Sequence, residues 1–60
     1  MAILKLHDRL NPTRIVLQDR DEISAVDVYQ DGSVVWSKGG SQLYVSETPE
    51  DIYELIKEKQ

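Results

Sequence analysis

The chain has no cysteine and only one histidine, and none of its apolar runs is long. Without cysteine there can be no disulfide, and this absence is typical of a reducing compartment. The segment from Met1 to Asp8 lacks the apolar run that a secretory signal requires, and no segment approaches the ~20 residues that span a bilayer. We therefore expect a cytoplasmic protein without membrane insertion.

These absences also leave the chain with few stabilising devices. Its 60 residues are expected to form a single domain over 1–60, and a domain of this size buries only about 60% of the surface that its unfolded chain exposes. Such small domains usually add disulfides, a metal ion or a partner subunit. Because disulfides are excluded, the sequence favours a partner. We expect a homo-oligomer, with a dimer as the first hypothesis, and an unidentified protein partner.

The charge of the chain bears on which partners it binds. Eleven acidic residues against seven Lys and Arg give a formal net charge of −4. The basic residues are spread along the sequence, so they do not form the positive stripe that binds a phosphate backbone. The charge pattern therefore disfavours nucleic acid as a partner.

Turn-forming residues divide the chain into short apolar runs and one amphipathic segment. Thr48 can cap a helix that begins at Pro49, and Ile52, Leu55 and Ile56 then form one apolar stripe. We predict strands within 2–7, 14–18, 22–30, 33–37 and 41–46 and a helix over 49–58. The fold class is α+β: a strongly curved antiparallel β-sheet, or a small open SH3-like barrel of about five strands, with one C-terminal α-helix.

Two glycine-containing turns predict the register of the last three strands. If Asp31-Gly32 and Gly39-Gly40 are two-residue hairpin loops, Val28 faces Val35 and Val35 faces Tyr44. Because side chains alternate along a strand, one face of this meander would carry Tyr29, Val34, Trp36, Leu43 and Val45, and the other would carry Val26, Val28, Val35 and Tyr44.

One helix can cover only one of these two apolar faces. We expect it to pack over the face that carries Trp36, so the other face must be closed by the first two strands or by a second subunit. An exposed apolar patch usually marks an interface, and aromatic residues are enriched in partner contacts. The predicted protein interface therefore consists of Val26, Val28, Val35 and Tyr44.

Three segments superficially suggest chemistry. His7 has Asp8 as its sequence neighbour, but successive strand side chains point to opposite faces, so we expect an exposed histidine. The run 19–22 lacks the Gly and distal Glu of a calcium loop and is interpreted as a turn. Gly39-Gly40-Ser41 precedes a strand, whereas phosphate loops open a helix. We predict no catalytic residues, no cofactor and no metal site, and hence no enzyme.

The order of short motifs resembles that of the FlbD-type (SwrD) small flagellar and swarming-motility proteins. The matching segments, spread over nearly the whole chain, are Arg9-Leu10-Asn11, Leu17 and Asp19 before Ile23, Val34-Val35, and the run from Leu43 to Ile52. The resemblance implies a non-enzymatic accessory protein that acts through contacts, and small proteins of this shape are also carried by phages. It implies no role for any particular residue.

Two hypotheses about function remain open from the sequence. The first is a small, self-associating protein-interaction or accessory module, related to motility or to a phage. The second is a nucleic-acid-directed regulator, either an SH3-like reader or an acidic decoy of a DNA-binding protein.

Overall fold

The computed structural model describes residues 2–58, which form five strands, one 3-10 turn and one helix. The predicted α+β class with a single C-terminal helix is confirmed. The elements are β1 (Ile3–His7), β2 (Ile15–Asp19), a 3-10 turn (Arg20–Glu22), β3 (Ile23–Tyr29), β4 (Gly32–Ser37), β5 (Gln42–Val45) and α1 (Pro49–Glu58).

The strands form two antiparallel sheets that touch at one corner. Strand β1 pairs with β2, and β3, β4 and β5 form a meander. A single bridge between Asp8 and Val45 joins them. It is flanked by hydrogen bonds from the Ser46 N–H to the His7 carbonyl at 2.9 Å and from the Arg9 N–H to the Tyr44 carbonyl at 3.1 Å. Strand β1 therefore lies beside β5, and the strands of residues 2–58 do not close into a barrel.

The hydrophobic core lies between β1, the meander and the helix. Its centre consists of Leu4 and Leu6 from β1, Val35 from β4, Val45 from β5 and Ile52 from α1, all buried. The hairpin of β1 and β2 thus covers the same face of the meander as the helix does. We call this covered face the inner face. Partly buried side chains around it are Ile23, Val26, Leu43, Leu55 and Ile56.

The helix begins as the sequence predicts. The Thr48 hydroxyl accepts from the Asp51 N–H at 3.2 Å, and an Asp51 carboxylate oxygen accepts from the Thr48 N–H at 3.3 Å. Such a reciprocal pair satisfies two backbone donors that the first turn would otherwise leave free. Ile52 is buried, and Leu55 and Ile56 are half-buried on the same side. The predicted helix over 49–58 is confirmed.

The turn between β3 and β4 lies one residue earlier than predicted. Gln30 and Asp31 form it, Tyr29 pairs with Gly32, and Val26 pairs with Val35. Gly32 belongs to β4, where a Cβ atom would lie 2.1 Å from the Val45 carbonyl oxygen. Gln30 takes the positive φ of 52° instead. The predicted register was wrong by two residues, and an even offset leaves every side chain on its predicted face.

The turn between β4 and β5 differs from the prediction by one residue, with a larger effect. The loop has three residues, 38–40, because the Ser37 N–H donates to the Ser41 carbonyl at 2.9 Å. Its last residue is Gly40, with φ of 93°, which is common in three-residue hairpins. Val34 therefore pairs with Tyr44. An odd offset moves every β5 side chain to the other face.

Trp36 is the clearest case in which the predicted packing was wrong. It pairs with Ala25, and so lies on the face opposite the core, where its indole N–H donates to an Asp27 carboxylate oxygen at 3.1 Å. The helix covers Val35 together with Leu43 and Val45 of β5. The predicted register placed Leu43 and Val45 on the face opposite Val35. We call the face that carries Trp36 the outer face.

Candidate functional site

The four residues of the predicted interface do not lie on one surface. Val35 is only 2% exposed and belongs to the core, and Val26 packs against that core. Val28 is 72% exposed on β3, whereas Tyr44 is 41% exposed on the outer face. The one-residue difference in the β4–β5 loop separates Tyr44 from the three valines.

The outer face of the meander carries Tyr29, Trp36 and Tyr44, which are three of the four aromatic residues of the sequence. We call the part of the outer face that is formed by the following side chains the aromatic face: Asp27, Tyr29, Val34, Trp36 and Tyr44. Val34 is buried although it lies on this side, since it stands between its pairing partners on β3 and β5. The aromatic rings are therefore mounted on a packed base and not on a loop.

Tyr29 and Tyr44 form an aromatic pair across the central strand. Strands β3 and β5 both flank β4, so their backbones are roughly 10 Å apart. The two ring centroids are nevertheless 4.9 Å apart, with the rings tilted by 50°. Gly32 is the pairing partner of Tyr29 and places no side chain between the rings. The pair was not predicted, because the register expected for a two-residue β4–β5 loop places the two tyrosines on opposite faces.

Arg9 extends the aromatic face from the end of β1. Its backbone N–H donates to the Tyr44 carbonyl at 3.1 Å, and its guanidinium carbon lies 5.7 Å from the centroid of the Tyr29 ring. One guanidinium nitrogen, Nη2, donates to the Gln30 side-chain carbonyl oxygen. These contacts hold the guanidinium in place beside the two tyrosines.

A shallow pocket of about 450 Å³ opens between these groups. It is lined by Arg9, Leu10, Tyr29, Gln30 and Tyr44, and we call it the Arg9 pocket. Leu10 is 92% exposed at its rim. The pocket therefore combines two aromatic rings and an exposed aliphatic side chain with one cation.

His7 was expected to be an exposed strand histidine; it lies at the end of β1 with its side chain 42% exposed, and it also bonds to Glu47. It is half-buried, its backbone N–H donates to Glu47 Oε1 at 2.9 Å, and its Nδ1 lies 2.6 Å from Glu47 Oε2. The Glu47 carbonyl in turn accepts from the buried Ser33 hydroxyl at 2.7 Å. These bonds tie the end of β1 to the segment that leads into the helix.

The run 19–22 forms a turn, as predicted. Asp19 ends β2, and its carboxylate caps the 3-10 turn by accepting from the Asp21 N–H at 3.0 Å. Within residues 2–58 no group of three or more acidic or histidine side chains is arranged to hold a metal ion.

No helix in the described part of the chain has the length and hydropathy needed to cross a membrane. Comparisons with protein-family models, with curated proteins and with solved structures give no significant match.

Proposed function

We propose that this chain is a small non-enzymatic protein-interaction module that self-associates through the aromatic face. The observation that carries the proposal is the tilted pair of Tyr29 and Tyr44 rings, each residue 41% exposed and mounted on a regular sheet. Tyrosine, tryptophan and arginine are the residues that contribute most to binding at protein interfaces.

The location of the proposed interface follows from which predicted residues are exposed. Tyr44 remains in it, and Tyr29 and Trp36 join it on the same face. Val26 and Val35 stabilise the fold instead, because they pack in or against the core. Burial of the aromatic face by a partner would add apolar contact area to a domain whose own core is small.

The interface has polar groups that can give it a defined geometry. Tyr44 donates its hydroxyl proton to the Gln42 side-chain carbonyl at 2.9 Å, and the Trp36 indole is held by Asp27. Rings fixed in this way lose little further freedom when a partner binds.

The proposal extends to the fold type and the cellular setting. We take the molecule as a small open barrel of the SH3-like kind, supported by the bridge between Asp8 and Val45 that brings β1 beside β5. The resemblance of its motifs to FlbD-type (SwrD) proteins supports a cytoplasmic accessory role in motility or in a phage.

The alternative is a nucleic-acid-directed regulator. Aromatic rings on a sheet face can stack on unpaired bases, and this observation favours an SH3-like reader. Arg9 is the one cation among residues 2–58 that lines the pocket, and the net charge of −4 opposes a phosphate backbone, which is why protein contact is preferred. A reader would shift a labelled single strand in a gel and lose affinity steeply with salt. An acidic decoy would instead compete with nucleic acid for a DNA-binding protein.

Light scattering after size exclusion tests the proposed self-association. We expect the wild type to have the mass of a dimer, and Tyr44→Glu to have that of a monomer, because the substitution removes one ring of the tyrosine pair and places a charged group in an interface that buries aromatic side chains.

Tyr53→Glu is the matched control, since Tyr53 is an exposed tyrosine on α1 and the substitution adds the same charge. It should leave the dimer intact. A wild-type protein that stays monomeric up to millimolar concentration would disprove self-association, and equal dissociation by both variants would remove the aromatic face as its site.

A further inference from the structure

The Arg9 guanidinium is positioned before any ligand arrives. It rests against the Tyr29 ring and donates from Nη2 to Gln30, while its backbone is bonded to Tyr44. An exposed arginine normally loses considerable rotamer freedom when it binds. A side chain that is already held by a ring and an amide loses less, so the pocket is pre-organised around its cation.

The same guanidinium retains unused hydrogen-bonding capacity. Arginine has five N–H donors in a planar fork, and the structure gives one side-chain hydrogen bond to Arg9, to a neutral amide. Among residues 2–58 the ion pairs are His7–Glu47 and Arg20–Asp21, so no described carboxylate pairs with Arg9. In a chain with eleven acidic residues, the pocket holds a cation without a described counter-ion.

The apolar groups that line the rest of the pocket favour a ligand with an aromatic or aliphatic group. The Tyr29 and Tyr44 rings and the exposed Leu10 side chain offer apolar contact. A further ring could stack there at the centroid distances of about 4.5–7 Å that aromatic pairs prefer. The volume of about 450 Å³ is near the lower end of ligand pockets, about 300–1,000 Å³, which suits one side chain.

The single cation also limits the charge of the ligand. A guanidinium fork matches the two oxygens of a planar carboxylate and forms paired hydrogen bonds with it. A phosphate carries up to two charges, and in the part of the chain that the structure describes the pocket lining supplies only Arg9 to balance them, in an acidic protein. A carboxylate is therefore the better fit.

We infer that the Arg9 pocket binds the C-terminal residue of a partner protein, where that residue is aromatic and supplies both the ring and the free α-carboxylate. The inference rests on the proposed function in taking a protein as the source of that residue. Because Tyr29 and Tyr44 also belong to the proposed self-association face, the ligand and a second copy of the chain compete for the same two rings. The carboxylate pairs with Arg9, and the ring lies against Tyr29 and Tyr44.

The test uses two small probes that differ by one charge, N-acetyl-phenylalanine and its amide. Each is titrated into ¹⁵N-labelled protein at neutral pH, at a protein concentration where light scattering gives the monomer mass. We expect amide shifts at the residues lining the pocket, and roughly tenfold tighter binding of the acid, as one charge-assisted contact provides. This preference should shrink as salt is added.

Two arginine variants make the test specific. Arg9→Gln keeps the backbone bond to Tyr44 and removes the guanidinium, so the acid and the amide should then bind equally weakly. Arg14→Gln removes an exposed arginine that does not line the pocket, and it should keep the tenfold preference. The amide spectrum of each variant reports whether the fold is intact. Tyr29→Leu should weaken both probes, because it removes a ring that contacts them, and it should weaken the acid at least as much as the amide, because the same ring holds the Arg9 guanidinium.

Several results would overturn the inference. Equal affinity of the acid and the amide for the wild type would show that Arg9 does not favour a charged ligand. Amide shifts confined to residues that do not line the pocket would place the probe elsewhere. Tighter binding of uridine monophosphate than of N-acetyl-phenylalanine would assign the pocket to nucleotides. If the wild type does not bind the acid and Arg9→Gln loses the dimer, the Arg9 pocket would be assigned to a second copy of this chain. A wild-type monomer would disprove self-association alone, because the titration is read on the monomer.

Discussion

The two faces of the β3–β4–β5 meander are both apolar, yet they are built from different residues. The inner face carries the aliphatic side chains Val35, Leu43 and Val45, which have no polar atoms. They are covered by β1 and α1 and form part of the core with Ile52. Such side chains can be sealed from water with no hydrogen bond to satisfy.

The outer face is aromatic, and its rings carry polar groups. Trp36 donates to Asp27, Tyr44 donates to Gln42, and the Tyr29 ring lies against a guanidinium. Tyrosine and tryptophan suit surfaces where one end is apolar and the other is wet. The number of apolar residues therefore does not separate a core face from an exposed face in this molecule, whereas the kind of apolar residue does.

The largest effect on stability should come from removing a core side chain of β1 that packs on the inner face. Leu6→Ala removes a fully buried side chain and should lower the free energy of unfolding by about 2–5 kcal/mol, which is much of the total for a domain this small. Leu17→Ala is the control on the same hairpin, because Leu17 is 68% exposed. It should change stability by less than about 0.5 kcal/mol. Urea unfolding followed by circular dichroism measures both, and equal losses would contradict this core.

A smaller effect is expected at Gly32, where the β4 backbone lies close to Val45 and Ser46. A methyl group there would lie 2.1 Å from the Val45 carbonyl oxygen, so Gly32→Ala should cost about 1–3 kcal/mol and should separate the Tyr29 and Tyr44 rings. Gly39→Ala is the matched change, since a Cβ atom at Gly39 meets nothing within 4 Å. Thermal unfolding and the ring proton shifts of the tyrosines report the two effects. A stable Gly32→Ala protein with unchanged ring shifts would show that β4 and β5 are not so close.

The smallest effect concerns a single hydrogen bond on the outer face. Trp36→Phe removes the indole donor to Asp27 and should cost about 0.5–1.5 kcal/mol. In an Asp27→Ala background the same substitution should cost less, because the bond is already absent. A double-mutant cycle by chemical denaturation measures this coupling. Strict additivity would mean that the bond contributes nothing in solution.

The helix could be predicted because its signals are local. Thr48, Pro49 and Asp51 define its start within four positions, and the apolar stripe follows directly. The register of β5 depends instead on whether one loop has two or three residues, and Gly39-Gly40 is compatible with either length. One residue of loop decides which side chains of a whole strand enter the core.

The candidate site was predicted only in part, for a related reason. Tyr44 was identified as an interface residue, but its partner Tyr29 and the nearby Arg9 reach it through contacts between distant segments. The Arg9 side chain meets Gln30 across 21 positions, and no short motif marks such a contact. The one signal available was Gly32, the pairing partner of Tyr29, whose missing side chain lets β4 lie close to the backbone of Val45 and Ser46.

The bridge between Asp8 and Val45 has a consequence for how the chain acquires its structure. The first strand finds its second neighbour only in the fifth, and the link from His7 to Glu47 spans 40 positions. Contacts of such long range form slowly, because closing the long loop between them costs entropy before any contact is gained. We therefore expect Leu4 and Leu6 to stay exposed to water until Val45 and Ile52, their partners in the core, have been synthesised.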